Sequence, residues 1–203
     1  MKKLYICDFD DSFTYNIFSL LFRFLSADDI EVVSKENIEE VLNLVIKNNT
    51  SRIGLVLGPG PGKPEDYSNI YPKLKSILSK QNIFIMGICL GHQLVWKSLG
   101  LNIVSAKSIK HGESESFTLP FDIMNEFELD KTITVQRYNS LVPKVSKNQI
   151  KMFNQNGWCL FSINSELIMS KFNNVVTYQF HPESIGTINN TQYFKSLIEF
   201  ITK

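Results

Sequence analysis

Short apolar runs alternate along the chain with longer stretches in which apolar residues recur at helical spacing. Leu4-Tyr5-Ile6-Cys7 reads as a strand, Tyr15 to Leu25 as a helix with a broad apolar face, and Glu31 to Ser34 as a second strand. Ile38 to Lys47 predicts another helix, Ile53 to Leu57 a buried strand ending at glycines, Tyr71 to Ser79 a helix and Ile83 to Met86 a strand. A further helix follows Cys89, running through Gln93 to Leu99 with Gly100 as its cap. This β-α-β-α order predicts an α/β fold with a mostly parallel sheet, helices on both faces, and a site built from loops at the carboxyl ends of the strands. From Ile103 to Gln179 the pieces become short and strand-like, among them Thr132 to Gln136, Cys159 to Ile163 and Val175 to Gln179, and they predict a β-rich extension of the same sheet. An amphipathic helix over Thr191 to Ile201 follows. No repeat, low-complexity tract or linker divides the chain, so a single domain over residues 1–203 is expected.

Composition narrows the partners. Twenty-one basic and twenty acidic residues leave a formal charge of +1, which provides no general field for nucleic acid or an anionic membrane. No stretch approaches the roughly 18 apolar residues of a membrane span. Cys7, Cys89 and Cys159 lie far apart with no C-x-x-C pair, so neither a disulfide framework nor a metal site is expected, and a reducing, cytoplasmic setting fits.

Cys89 lies in Gly87-Ile88-Cys89-Leu90-Gly91-His92-Gln93, directly after an apolar strand. A cysteine framed by glycines where a buried strand turns sharply into a helix reads as a nucleophile elbow. A Cβ at either glycine would collide with neighbouring backbone, and the sulfur sits beside helix N-terminal amides that favour thiolate. The alternative is a small buried cysteine that happens to lie between glycines.

Gly58-Pro59-Gly60-Pro61-Gly62-Lys63-Pro64 follows another strand. It fails as a phosphate loop, because position 57 is Leu, position 64 is Pro, and the prolines at 59, 61 and 64 remove amides that a phosphate cradle would use. A stiff loop of this kind suits an oxyanion better, or else is a rigid turn without chemistry. Gln179-Phe180-His181-Pro182-Glu183-Ser184 ends the strand Val175 to Gln179. Pro182 holds His181 extended, so His181 and Glu183 can share one side of the chain as base and orienting carboxylate. His92, one helical turn after Cys89, and His111, among polar turn residues, are the other candidates for the base.

These motifs, in this order, resemble those of class I glutamine amidotransferases. The resemblance sharpens at Asp8-Phe9-Asp10-Asp11-Ser12-Phe13-Thr14-Tyr15-Asn16 and at Arg137-Tyr138-Asn139-Ser140-Leu141, which are similar to segments of the component II type found in anthranilate synthase and aminodeoxychorismate synthase. It implies a flavodoxin-like fold and a glutaminase without cofactor or metal, with Cys89 as nucleophile, His181 as proton relay and Glu183 as its orienter. It further implies that the Gly60 and Leu90 amides stabilise the oxyanion and that Gly60, Pro61, Gly62, Gln93, Ser140 and Leu141 hold L-glutamine. The implied partner is a chorismate-binding synthase subunit that takes the ammonia, in an anthranilate synthase or, alternatively, an aminodeoxychorismate synthase or both. Asn139 stands where the family pattern R-Y-H-S-L has His, and His111-Gly112-Glu113-Ser114-Glu115 departs from H-G-K-x-S with Glu in place of Lys and of Ser. That charge reversal reads either as partner adaptation or as drift on an exposed loop. A non-catalytic regulatory subunit and a generic cysteine hydrolase are the remaining readings. Gln93 and Ser140-Leu141 would have no purpose in the latter.

Overall fold

In a computed structural model, described over residues 2–203, the central strands sit where the apolar runs are densest. The strands are β1 (Lys3–Asp8), β2 (Ile30–Ser34), β3 (Ile53–Leu57), β4 (Ile83–Ile88), β5 (Asn102–Ser105), β6 (Glu113–Thr118), β7 (Thr132–Arg137), β8 (Leu141–Lys144), β9 (Cys159–Ile163), β10 (Glu166–Phe172) and β11 (Val175–Tyr178). The helices are α1 (Thr14–Leu21), α2 (Ile38–Lys47), α3 (Tyr71–Ile77), α4 (Leu90–Ser98), α5 (Phe121–Phe127), α6 (Lys147–Gln155) and α7 (Lys195–Thr202). The main sheet runs β2-β1-β3-β4-β11-β10-β8-β5, with β9 also paired to β10. Its pairs from β2 through β1, β3 and β4 to β11 are parallel, and from β10 outward the pairing is antiparallel.

Strand alternation divides the core into two layers. Ile6, Val56, Phe84 and Met86 face a layer with Ile17 and Leu21 of α1, Ile123 of α5, and Leu197 and Ile201 of α7. Cys7, Leu55, Leu57, Ile83 and Ile85 face the other, with Val41 and Leu42 of α2, Leu74 and Ile77 of α3, Leu94, Val95 and Trp96 of α4, and Phe153 of α6. Every residue of β3 and β4 is buried, as expected for strands covered on both faces.

Three expectations need adjusting. The first helix stops at Leu21, and the residues after it form turns. The Thr132 to Gln136 strand does not extend the main sheet, because β6 and β7 make a separate two-stranded ribbon. Alternating exposure along these strands gives the ribbon one covered face, where Phe117, Ile133 and Val135 are buried in the layer beside the sheet. Two short helices, α5 and α6, interrupt the β-rich half, and neither has the long apolar stripe that makes a helix legible in sequence. No helix among the described residues is long and apolar enough to cross a membrane.

The corner at Cys89 depends on close backbone packing. A Cβ on Gly91 would lie 2.0 Å from the carbonyl oxygen of Leu57, and one on Gly87 would lie 2.8 Å from that of Gly91. Gly91→Ala is therefore expected to cost about 3 kcal/mol of stability, the upper end for overpacking, read as a lower urea midpoint. Gly100→Ala, whose Cβ would meet nothing within 4 Å but whose φ is +91°, should cost about 1 kcal/mol. Equal losses in the two variants would contradict the packing account.

Candidate active site

Three parallel neighbours, β3, β4 and β11, deliver their carboxyl ends to one edge of the sheet. The Gly58–Pro64 loop leaves β3, Cys89 leaves β4, and His181 follows β11. The β4–β11 ladder continues to the corner itself, where the Cys89 amide donates to the Tyr178 carbonyl at 2.8 Å. Cys89 then turns with φ 50° and ψ −99°, a conformation outside the ordinary regions for a side chain of its kind, and becomes the N-cap of α4. The Gly91 amide donates to the Gly58 carbonyl at 3.2 Å, which ties the elbow to the proline-rich loop. Leu90 is the first residue of α4, so its amide has no intrahelical acceptor.

His181 and Glu183 are both buried, and Nδ1 of the imidazole lies 2.7 Å from Oε1 of the carboxylate. The main chain of His181 is fixed on both sides: its amide donates to the Gln136 carbonyl at 2.9 Å, and its carbonyl accepts from the Thr187 hydroxyl at 2.7 Å. Phe13 and Tyr138 flank the ring, with centroids 5.2 and 4.9 Å away. Burial alone disfavours the imidazolium, but Cys89 and Glu183 outweigh it and hold the His181 pKa well above the ordinary histidine range. Nε2 has no hydrogen-bond partner among the described residues, and Cys89 is close enough for its charge to act on the ring.

The other candidates separate cleanly. His92 is fully buried between the Thr177 hydroxyl (2.7 Å) and the Leu167 carbonyl (3.1 Å), and burial pushes its pKa down to about 3. It is a neutral core residue. His111 is exposed on the loop before β6. Burial pushes the Cys7 thiol up to about 12 and the Cys159 thiol up to about 11, which leaves both inert beside Cys89.

A cavity of about 180 Å³ opens over Cys89, lined by Gly60, Pro61, Gly62, Leu90, Gln93, Ser140 and Leu141 together with Tyr138 and Asn139. Every binding residue expected from the sequence thus borders one space. Gly60 is needed there, since a Cβ would lie 2.4 Å from Cβ of Phe9 and 2.9 Å from Cδ2 of Leu90. Four neighbours of this space were not anticipated: Phe13 and Tyr138 beside the His181 ring, Asn139 on the cavity wall, and Gln179, whose Nε2 donates to Sγ of Cys89 at 3.8 Å. All four lie inside the motifs already singled out. Which members of a motif reach the site depends on tertiary pairing, as with the Gln136 to His181 bridge.

The family model described as Glutamine amidotransferase class-I matches residues 5–200. The anthranilate synthase component 2 of Buchnera aphidicola subsp. Schizaphis graminum is 33% identical, over 98% of this chain and 96% of that protein. The aminodeoxychorismate synthase component 2 of Serratia marcescens is 30% identical, over 90% of this chain and 92% of that protein. Among solved structures, the glutaminase domain of Trypanosoma brucei CTPS with bound acivicin shares the fold with a TM-score of 0.66 at 12% identity, covering 100% of this chain and 95% of that one.

The electrostatics of the pair give a signed expectation. Glu183→Gln removes a negative charge that raises the His181 pKa, so the alkaline limb of any reaction needing the imidazolium should move to lower pH. The pH profile of turnover measures this, and a limb unmoved or displaced to higher pH would contradict the assignment of Glu183.

Proposed function

The chain belongs to the class I glutamine amidotransferase family, and on that premise we propose that it is the glutaminase subunit of a chorismate-using synthase, most directly an anthranilate synthase. Cys89 attacks the carboxamide carbon of L-glutamine, forming a C–S bond and a tetrahedral oxyanion. Amides of Gly60 and Leu90 stabilise that oxyanion; losing one such donor costs about 2.7 to 4 kcal/mol. The His181 imidazolium gives its proton to the departing amine, ammonia leaves, and a γ-glutamyl thioester remains on Cys89. Neutral His181 then takes a proton from water, hydroxide adds to the thioester, and glutamate leaves as the thiolate and imidazolium are restored. Glu183 keeps Nδ1 engaged throughout, so Nε2 carries the proton traffic.

The observation that carries this reading is the convergence of Cys89, the buried His181–Glu183 pair and one small cavity at the ends of three adjacent strands. At about 180 Å³ the cavity is smaller than the roughly 300–1,000 Å³ typical of drug-sized ligands, which favours a single amino acid over a peptide. Gly60, Pro61, Gly62, Gln93, Ser140 and Leu141 are assigned to holding it. Relatives of both component 2 names align along nearly the whole chain, which supports a chorismate-binding subunit as the ammonia acceptor, in an anthranilate synthase or, alternatively, an aminodeoxychorismate synthase. Three free thiols fit a cytoplasmic setting.

The test is a glutaminase assay with and without each of the two synthase subunits, following glutamate and aromatic amine together. The wild-type chain should release glutamate, and should yield amine with its cognate synthase. Cys89→Ala should lose at least about 10³-fold in rate, since nucleophile and base act as a unit. Glutamate release by Cys89→Ala at the wild-type rate would refute the role of Cys89, and no product with either synthase would refute the pathway.

A further inference from the structure

Arg137 is 3% exposed, and no step above uses it. A buried guanidinium is costly unless its donors are paired. Its Nη1 donates to Oε2 of Glu115 at 2.8 Å and its Nε to Oδ1 of Asn139 at 3.1 Å, while Nη2 makes no hydrogen bond and has only a charge contact with Oε2 of Glu166, 3.6 Å away. Asn139 passes the constraint on: its Nδ2 donates to the Leu141 carbonyl at 3.0 Å, and the same oxygen accepts from Nε2 of Gln93 at 2.9 Å. Nε2 of Gln93 also lies 3.3 Å from Oε1 of Gln179, whose amide nitrogen reaches Sγ of Cys89. One hydrogen-bonded chain therefore runs from the β6–β7 ribbon to the nucleophile. Asn139, Leu141, Gln93 and Cys89, four of its members, line the cavity.

Glu115, one of the two acidic departures in the loop, is thus turned inward onto Arg137, while Glu113 pairs with Lys110 at 2.9 Å. Only a planar fork can serve Glu115 and Asn139 at once in this geometry.

We propose that Arg137, clamped by Glu115 and Glu166, is a positioning residue for glutamine binding: it fixes Asn139 and through it the Leu141 carbonyl and Gln93, and so sets the affinity of the cavity without touching the reacting atoms. This rests on the glutaminase reading above. The positioning role separates binding from the reactivity of Cys89, because Arg137 touches neither Cys89 nor His181 and only the last and longest link of the chain, 3.8 Å from Gln179 to Sγ, reaches the thiol.

The experiment is alkylation of the full chain by iodoacetamide, with modification at Cys89 followed by peptide mass spectrometry and glutamine added as protectant. Arg137→Met should raise the half-protecting glutamine concentration by about tenfold, the effect of leaving buried hydrogen-bonding groups unpaired. Arg137→Lys should not rescue it. Glu115→Gln, at a half-buried position where folding is not at stake, should raise the concentration by about threefold. The Glu115→Gln/Arg137→Met double variant should protect no worse than Arg137→Met alone. In all of these the alkylation rate without glutamine should stay within about twofold of wild type. Unchanged protection in Arg137→Met and Glu115→Gln, or an alkylation rate falling in step with lost protection, would overturn the positioning role. Wild-type Cys89 that glutamine fails to protect would instead overturn the glutaminase reading, and is seen before any substitution is made.

Discussion

The backbone of Cys89, held at a positive φ between two glycines, is the constraint on which the rest of the site depends. A residue with a Cβ at such a φ costs of order 1–3 kcal/mol and persists only where its surroundings over-determine it. Here they do: the amide of Cys89 is taken by β11, the amide of Gly91 by the proline-rich loop, and α4 is driven against the sheet by Leu94, Val95 and Trp96. The same contacts that force the corner bring the neighbouring loop and the end of β11 to it. Strain at Cys89 and assembly of the site are one packing event.

Charge organises what packing has assembled. His181 is buried deeply enough that burial by itself would neutralise it, yet Glu183 holds Nδ1 at 2.7 Å and Cys89 lies near the ring, and together they reverse the balance. Phe13 and Tyr138 exclude water around the ring and offer it π faces and edges. His92 shows the opposite outcome in the same protein, since burial without an anionic neighbour leaves it neutral and structural. Position relative to charge, and not residue type, separates the two histidines.

Much of this was legible in sequence because the signals are local. α2 and β3 match their expected ends, since a helical or buried apolar period with polar flanks fixes them. Cys89 with its glycines, and the His181–Glu183 pair, each lie within a few residues in the chain, where spacing alone dictates geometry. The ribbon β6–β7 was illegible as a separate sheet because alternation tells which face is buried, not which strand is the neighbour. Tyr138, Asn139 and Gln179 were missed for the same reason. They reach the site through pairings far apart in the chain, such as Gln93 with Gln179. Glu115 was read as a departure facing a partner or solvent, whereas its carboxylate satisfies Arg137.

The central claim is that Cys89 carries the γ-glutamyl group during turnover. Acid quenching during steady-state glutamine hydrolysis, followed by peptide mass spectrometry, tests it most directly. The account predicts a γ-glutamyl adduct on the peptide holding Cys89 and none on those holding Cys7 or Cys159, with the adduct absent in Cys89→Ala. Continued glutamate release with Cys89 unmodified at every time point would contradict it.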